Sequence, residues 1–305
     1  MKILKFLLLF FIYSNSFLGI SQNNETIIAD LDTVKKDSIE ILPVYNKLKL
    51  AFNYSSANTF LGRKDSVSIP ILTPSFRYTS TKLYFFQGSL VHTNTTSKIF
   101  DELDLKLGKR YYGGEHYDGS ISYAHYFFSP QVSRINSFVN NDINIYNGFD
   151  FNLLYSALSL DFTYGKKTAT VKAKKTGKTY NLTAVSRDIS MTWMNLKQFY
   201  FYELFNSNDL FILTPELDFV FGTQNSIHLY HKKNNTANTT EAAFKTRAIT
   251  FNLDFLYIIK KLSINISPYV TFPQNPSVGQ SSKPYFVIYG GLFYTWKWEH
   301  KKTAK

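Results

Sequence analysis

Cysteine is absent from the 305 residues, which excludes a disulfide framework, a thiolate-ligated metal, a cysteine nucleophile and a lipid anchor on cysteine. Methionine is scarce at 3 copies, and charged residues make up only 18% of the chain. Beyond residue 21 no apolar run is long enough for a spanning helix. Neither a Walker loop nor a Gly-x-Ser-x-Gly elbow occurs, and nothing in the chain predicts a cofactor. What is abundant is aromatic: 28 Phe and 22 Tyr, with 3 Trp, a composition suited to strands. The formal net charge is +12.

The first segment has a clear reading. Lys2 and Lys5 precede the apolar run Phe6 to Ile12, and Gly19 and Ser21 stand at the −3 and −1 positions before Gln22. That pattern predicts a signal peptide over residues 1–21. A membrane anchor fits worse, because Ser14, Asn15 and Ser16 interrupt the run. Residues 22–46 are polar without a sustained period and read as an N-terminal tail.

From there to residue 298, apolar residues alternate with small or polar ones in block after block. In Asp209 to Gly222, Phe211, Leu213, Leu217, Phe219 and Phe221 share one face, while Thr214, Glu216 and Asp218 share the other. Thr246 to Tyr257, Leu262 to Phe272 and Pro284 to Trp298 repeat the pattern. The alternation predicts twelve strands, at about 47–61, 70–79, 82–93, 99–111, 117–129, 142–154, 157–165, 184–205, 209–222, 246–258, 261–273 and 284–298. The connections alternate as well. Tight ones fall near 80–81, 112–116, 155–156, 206–208 and 259–260, and longer ones include 130–141, 166–183 and 223–245.

Hairpin registers can be tested on paper. A turn tip at Ile259-Lys260 sets Leu253 opposite Ile266, Phe255 opposite Ile264 and Asp254 opposite Asn265; one at Tyr155-Ser156 sets Phe149 opposite Phe162 and Asp150 opposite Asp161. Neither tip carries the Asn-Gly or Asp-Gly signal of a two-residue hairpin.

A secreted β-sandwich would alternate too. Against it stand strands of ten or more residues, an inner face too polar for a dry core, and Tyr78, Tyr84, Tyr200, Tyr202, Tyr257, Trp296 and Trp298 near strand ends, where an aromatic girdle would meet lipid headgroups. The expected fold is therefore all-β: a transmembrane antiparallel up-and-down β-barrel of about 12 strands over residues 47–298, with a periplasmic N-terminal tail at 22–46 and a periplasmic C-terminal tail at 299–305. The chain also resembles the uncharacterised outer-membrane β-barrel proteins of Bacteroidota. The resemblance rests on the site before Gln22, the run Tyr123-Ala124-His125-Tyr126-Phe127-Phe128-Ser129-Pro130, Leu213 to Leu217 leading to Phe221-Gly222-Thr223-Gln224, and Gly290 to Trp296. It implies the same fold and a place in the outer membrane.

By parity, Lys49, Arg77, Glu102, Asp104, Lys106, Asp150, Asp161, Glu216, Asp218 and Asp254 should line the lumen. Carboxylates predominate there, which suggests either a cation-favouring constriction or a charge network filling a narrow interior. An outer loop bearing Lys166, Lys167, Lys172, Lys174, Lys175 and Lys178, and another with His228, His231, Lys232 and Lys233, would face lipopolysaccharide or simply solvent. His125 opposite Asn147 is similar to part of the Ser-His-Asn set of outer-membrane phospholipases, but no serine joins them, and a place in the aromatic belt suits His125 better. His228 and His231, three apart, do not make a metal site. The expected function is a channel or transporter for small hydrophilic solutes. The alternatives are a non-conducting barrel that serves as a surface or complex partner, for instance of other outer-membrane proteins, or, less favoured, a lipid hydrolase. Nucleic acid is not an expected partner, because the aromatics are committed to lipid.

Overall fold

The structure is a computed structural model that describes residues 45–57, 59–60, 63–64, 69–93, 100–128, 139–172, 179–223, 227–231, 237–240, 243–275 and 282–299. The leader, the N-terminal tail up to residue 44 and residues 300–305 lie outside this set, as do Lys174, Lys175, Lys178, Lys232 and Lys233.

Twelve antiparallel strands form the barrel: β1 Tyr45–Ser55, β2 Ile71–Thr79, β3 Tyr84–Thr93, β4 Glu102–Tyr112, β5 Tyr117–Phe128, β6 Asn141–Asp150, β7 Tyr155–Lys172, β8 Thr179–Leu196, β9 Asp209–Gly222, β10 Lys245–Ile259, β11 Leu262–Pro273 and β12 Tyr285–Glu299. Each pairs with its neighbours in chain order, and the ring closes where β12 meets β1, from Tyr45 opposite Glu299 to Ser55 opposite Tyr289. Closure removes the two free edges that an open sheet would expose. Every barrel strand has at least 9 residues, the length a tilted strand needs to cross a hydrocarbon layer.

The period of two decides which side chain goes where. Leu50, Phe52, Phe76, Phe86, Leu107, Ile121, Ile143, Phe162, Ile189, Trp193, Phe251, Ile266, Phe286 and Leu292 are large, apolar and exposed, and all stand on the outside. The opposite face carries Asn53, Ser89, Ser122, Asn144, Ser159, Thr192, Thr250, Asn252, Asn265, Ser267 and Thr271, all buried. This is a folded protein turned inside out relative to a soluble core, with a polar interior and an apolar exterior. Aromatic pairs at the short-turn end mark one rim of the apolar band, with Tyr78 stacked on Trp298 at 6.1 Å and Tyr294 edge-on to Trp296 at 4.3 Å.

The short turns set registers that differ from those expected. The tip after β10 is Lys260-Lys261, so Phe255 faces Ile266 and Tyr257 faces Ile264. The turn after β6 spans 151–154, so Asp150 faces Tyr155 and Asp161 faces Asn144. In both hairpins each partner moved by an even number of residues, which leaves every side chain on its expected face.

Three further expectations change. The segment 166–183 is not a loop: β7 and β8 stay paired out to Lys172 opposite Thr179. Thr168, Thr170, Val171, Thr179, Thr183 and Val185 supply the β-branched residues that hold an extended chain, and backbone pairing of two strands needs no apolar face. The segment 223–245 contains a short strand at Ile227–His231 that pairs with Leu182 to Ser186 of β8, and a second at Ala237–Thr240 that pairs with the first. At its other end the expected strand 184–205 is broken at Lys197 and Gln198. Pairing with β9 resumes in the same register at Phe199–Tyr202. Lys197 donates its amide to the carbonyl of Pro215 (3.2 Å), and Pro215 has no N–H to return the bond.

Candidate functional site

The candidate site is the inner face of the barrel. Lys49, Arg77, Glu102, Glu216, Asp218 and Asp254 are all buried there, and Asp104, Lys106 and Asp161 are half-buried on the same face. Asp150 differs. It is exposed at the end of β6, and its Oδ1 accepts the amide of Asn152 at 2.8 Å, so it closes a turn and does not take part in a constriction with Asp161.

The two signs of charge are unevenly distributed round the wall. Lys47 and Lys49 on β1, Arg77 on β2 and Lys297 on β12 form a basic sector beside aromatic rings. The Lys49 ammonium lies 3.8 Å from the Phe293 ring centre, and the Arg77 guanidinium lies 4.1 Å from that of Phe85. Such contacts hold a desolvated cation against the negative face of a ring. Carboxylates dominate from β4 round to β10. Asp104 accepts Ser89 Oγ at 3.1 Å. Asp161 takes Asn144 Nδ2 at 2.7 Å, and Ser190 Oγ reaches its other oxygen at 3.4 Å. Asp254 is held by Asn265 Nδ2 at 2.5 Å and by Ser267 Oγ.

Several inner residues were not singled out from the sequence: Lys47, Arg110, Asp118, Asp142, Asp188 and Lys297. The signal was present, because each shares the parity of its strand's polar face. All but Asp188 lie close to strand ends, where a period of two is hard to tell from a turn. Arg110 and Asp118 approach to 3.8 Å across the β4–β5 hairpin. Tyr155 donates to Asp118 at 2.5 Å, and its hydroxyl is also 2.5 Å from that of Tyr146.

That tyrosine pair belongs to a second layer which sequence reasoning missed. Tyr146, Ala157 and Met194 form a buried cluster with Tyr155 packed against it. Leu196, Ile212 and Leu256 are also buried on the inner face, with Ile212 directly across from Leu256. Each of these residues lies within a few positions of a short turn or of the break at Lys197, so together they make an apolar and aromatic floor at the short-turn end of an otherwise polar lumen. Gly148 makes room for it. A Cβ at that position would overlap the Tyr155 hydroxyl.

The His125–Asn147 pairing does not form. His125 faces Asn141, with Nδ1 2.8 Å from its Oδ1, and packs edge-on against Phe127 at 4.5 Å. Asn147 instead accepts Tyr111 Oη at 2.9 Å and Tyr117 Oη at 2.6 Å. Of the basic outer segment, Lys166 is exposed on β7, and Lys167 and Lys172 lie on the same strand.

No family model matches the sequence, and no curated protein matches it. Solved structures do resemble the fold. The NanC porin is 11% identical, with 81% of this chain and 98% of that one covered and a TM-score of 0.41. An outer membrane channel from Pseudomonas putida F1 is 11% identical, covering 86% of this chain and 100% of that one, with a TM-score of 0.43. The anion-selective porin from Comamonas acidovorans is 9% identical, with 83% and 98% covered and a TM-score of 0.23.

Proposed function

We propose that this chain is an integral outer-membrane β-barrel that passes small hydrophilic solutes through a charged lumen narrowed near its periplasmic end. One observation carries the reading: a closed ladder of strands turns its apolar face outward and its polar face inward. A sheet with that polarity is stable where acyl chains meet its outside and water or ion pairs fill its inside. Aromatic stacks at the short-turn rim support the same placement, since such rings settle at headgroup level. The leader at 1–21 would deliver the chain across the inner membrane, and the lysines of the β7–β8 hairpin would face anionic lipopolysaccharide.

The excess of carboxylates over the arc from β4 to β10 favours cations in the lumen. The apolar floor supports a second reading, a non-conducting barrel that acts as a surface or complex partner, because a hydrophobic constriction stops ions when it dewets. Reconstitution into planar bilayers separates the two. Unitary cation-selective current steps are expected, with a conductance that rises when Ile212→Ala and Leu256→Ala widen the floor. Silence in both proteins would end the channel reading.

A further inference from the structure

On the inner face of β9 and β10, four buried oxygen atoms meet no hydrogen-bond donor among the described residues. They are Oδ1 and Oδ2 of Asp218, Oε1 of Glu216 and Oδ1 of Asn252. Asp218 is 0% exposed, Glu216 5% and Asn252 4%. Glu216 and Asp218 are two residues apart on one strand and so share a face; Asn252 sits directly across from Glu216 and diagonal to Asp218. The Asn252 amide nitrogen donates to Glu216 Oε2 at 3.2 Å, which fixes the carboxamide with its oxygen turned away from that atom. Nearby groups are already occupied: Asp254 is held by Asn265 and Ser267, and Thr250 by the Thr271 hydroxyl at 2.8 Å.

Burying a carboxylate without a donor is strongly unfavourable unless a cation or a proton compensates it. The donor set discriminates between possible ions. All four atoms are hard oxygens, two of the groups are carboxyls that carry charge when ionised, and Asp218 presents both of its oxygens. Among the described residues no three His, Cys, Asp or Glu side chains converge on one point, so a site made only of such groups is not what the wall offers. Ca²⁺ accepts six to eight oxygens in loose geometry, takes amide carbonyls, and binds carboxylates in bidentate fashion. Two carboxylates balance its charge. We propose that Glu216, Asp218 and Asn252 form a Ca²⁺ site in the barrel wall, with Asp218 bidentate and water completing the shell. The site does not depend on whether the lumen conducts.

The test uses the full chain folded in detergent and stripped of divalent ions, with Ca²⁺ itself as the probe in equilibrium dialysis and in heat-denaturation assays. One Ca²⁺ per barrel is expected, together with a rise in the denaturation midpoint on adding Ca²⁺. Asp218→Asn should weaken binding at least tenfold and abolish that rise, while Asp254→Asn should bind within twofold of the parent. Absence of Ca²⁺ binding to the parent, or parental affinity in Asp218→Asn, overturns the site. A parent indifferent to Ca²⁺ but stabilised by Asp218→Asn would show that a proton, not a metal, compensates Asp218. Should Asp218→Asn fail to fold, Asn252→Ala decides: it keeps both carboxylates and loses one oxygen, so parental affinity in that variant also overturns the proposal.

Discussion

Asp209, at the start of β9, is one of the most heavily used single residues in the structure. Its carboxylate accepts the amides of Leu204 at 2.8 Å, Phe205 at 2.9 Å and Asn206 at 2.9 Å, and the Tyr257 hydroxyl at 2.9 Å. Burial pushes its pKa up, but the hydrogen bonds from Tyr257 and from the three turn amides outweigh it and hold the group below the ordinary carboxylate value. A depressed folded-state pKa stabilises the fold above the ordinary carboxylate pKa, and that contribution is lost as pH falls through the depressed value. Below about pH 4 the hairpin from 203 to 208 should therefore loosen. Asp209→Asn should lower the heat-denaturation midpoint at pH 7 and flatten the fall between pH 7 and pH 3. An unchanged acid slope in that variant would remove Asp209 as its source. Gly108 shows the opposite kind of dependence, on having no side chain, since a Cβ there would press on the Ile121 carbonyl and the Phe85 ring.

At the scale of the element, the short turns explain why strand faces were legible and registers were not. Each of the five carries one residue at positive φ: Leu83 at 66°, Gly114 at 78°, Asn152 at 65°, Glu203 at 55° and Lys260 at 55°. Gly114 and Asn152 favour that region, whereas Leu83, Glu203 and Lys260 do not. Lys260 thus gives no turn signal and its tip was placed one residue early, while the turn at 151–154 was placed late although Asn152 could have announced it. Lys260 is the first residue of a two-residue tip, a position that glycine favours. Lys260→Gly should stabilise the β10–β11 hairpin by up to about 1 kcal/mol, read from urea titration of folding into phosphatidylcholine vesicles. A loss of stability would show that the lysine side chain contributes something its backbone conformation does not reveal. The lengths of β7 and β8 were missed for a different reason. The added length of β7 carries Lys166, Lys167 and Lys172 among threonines, and β8 opens on Thr179-Tyr180-Asn181, which resembles a loop to any reading that equates strands with apolar alternation.

For the whole molecule, the decisive quantity is the sign of the environment on each side of the sheet. Leu292 is 48% exposed, faces Phe52 on β1 and Ile264 on β11, and lies in the middle of the outer apolar band. Leu292→Arg should cost about 2–4 kcal/mol in vesicle folding, as charge does near a bilayer midplane. Glu115→Arg, in the turn from 113 to 116, should cost almost nothing in the same assay. Equal effects at the two sites would mean that the band does not face lipid.

Alternation along one chain was enough to count twelve strands, to assign their faces and to place Lys49, Arg77, Glu102, Asp104, Lys106, Asp161, Glu216, Asp218 and Asp254 on one of them, because side-chain direction in a strand follows from residue parity alone. Where strands stop, which residue faces which, and therefore that Asp150 closes a turn while Asp161 meets Asn144, depended on turn geometry, which the residue types at these turns announce only in part. The apolar floor and the donorless oxygens of Glu216, Asp218 and Asn252 exist only in the closed ring. They depend on which residues neighbouring strands set side by side and on the closure that buries the inner face, and a linear pattern holds no information about either.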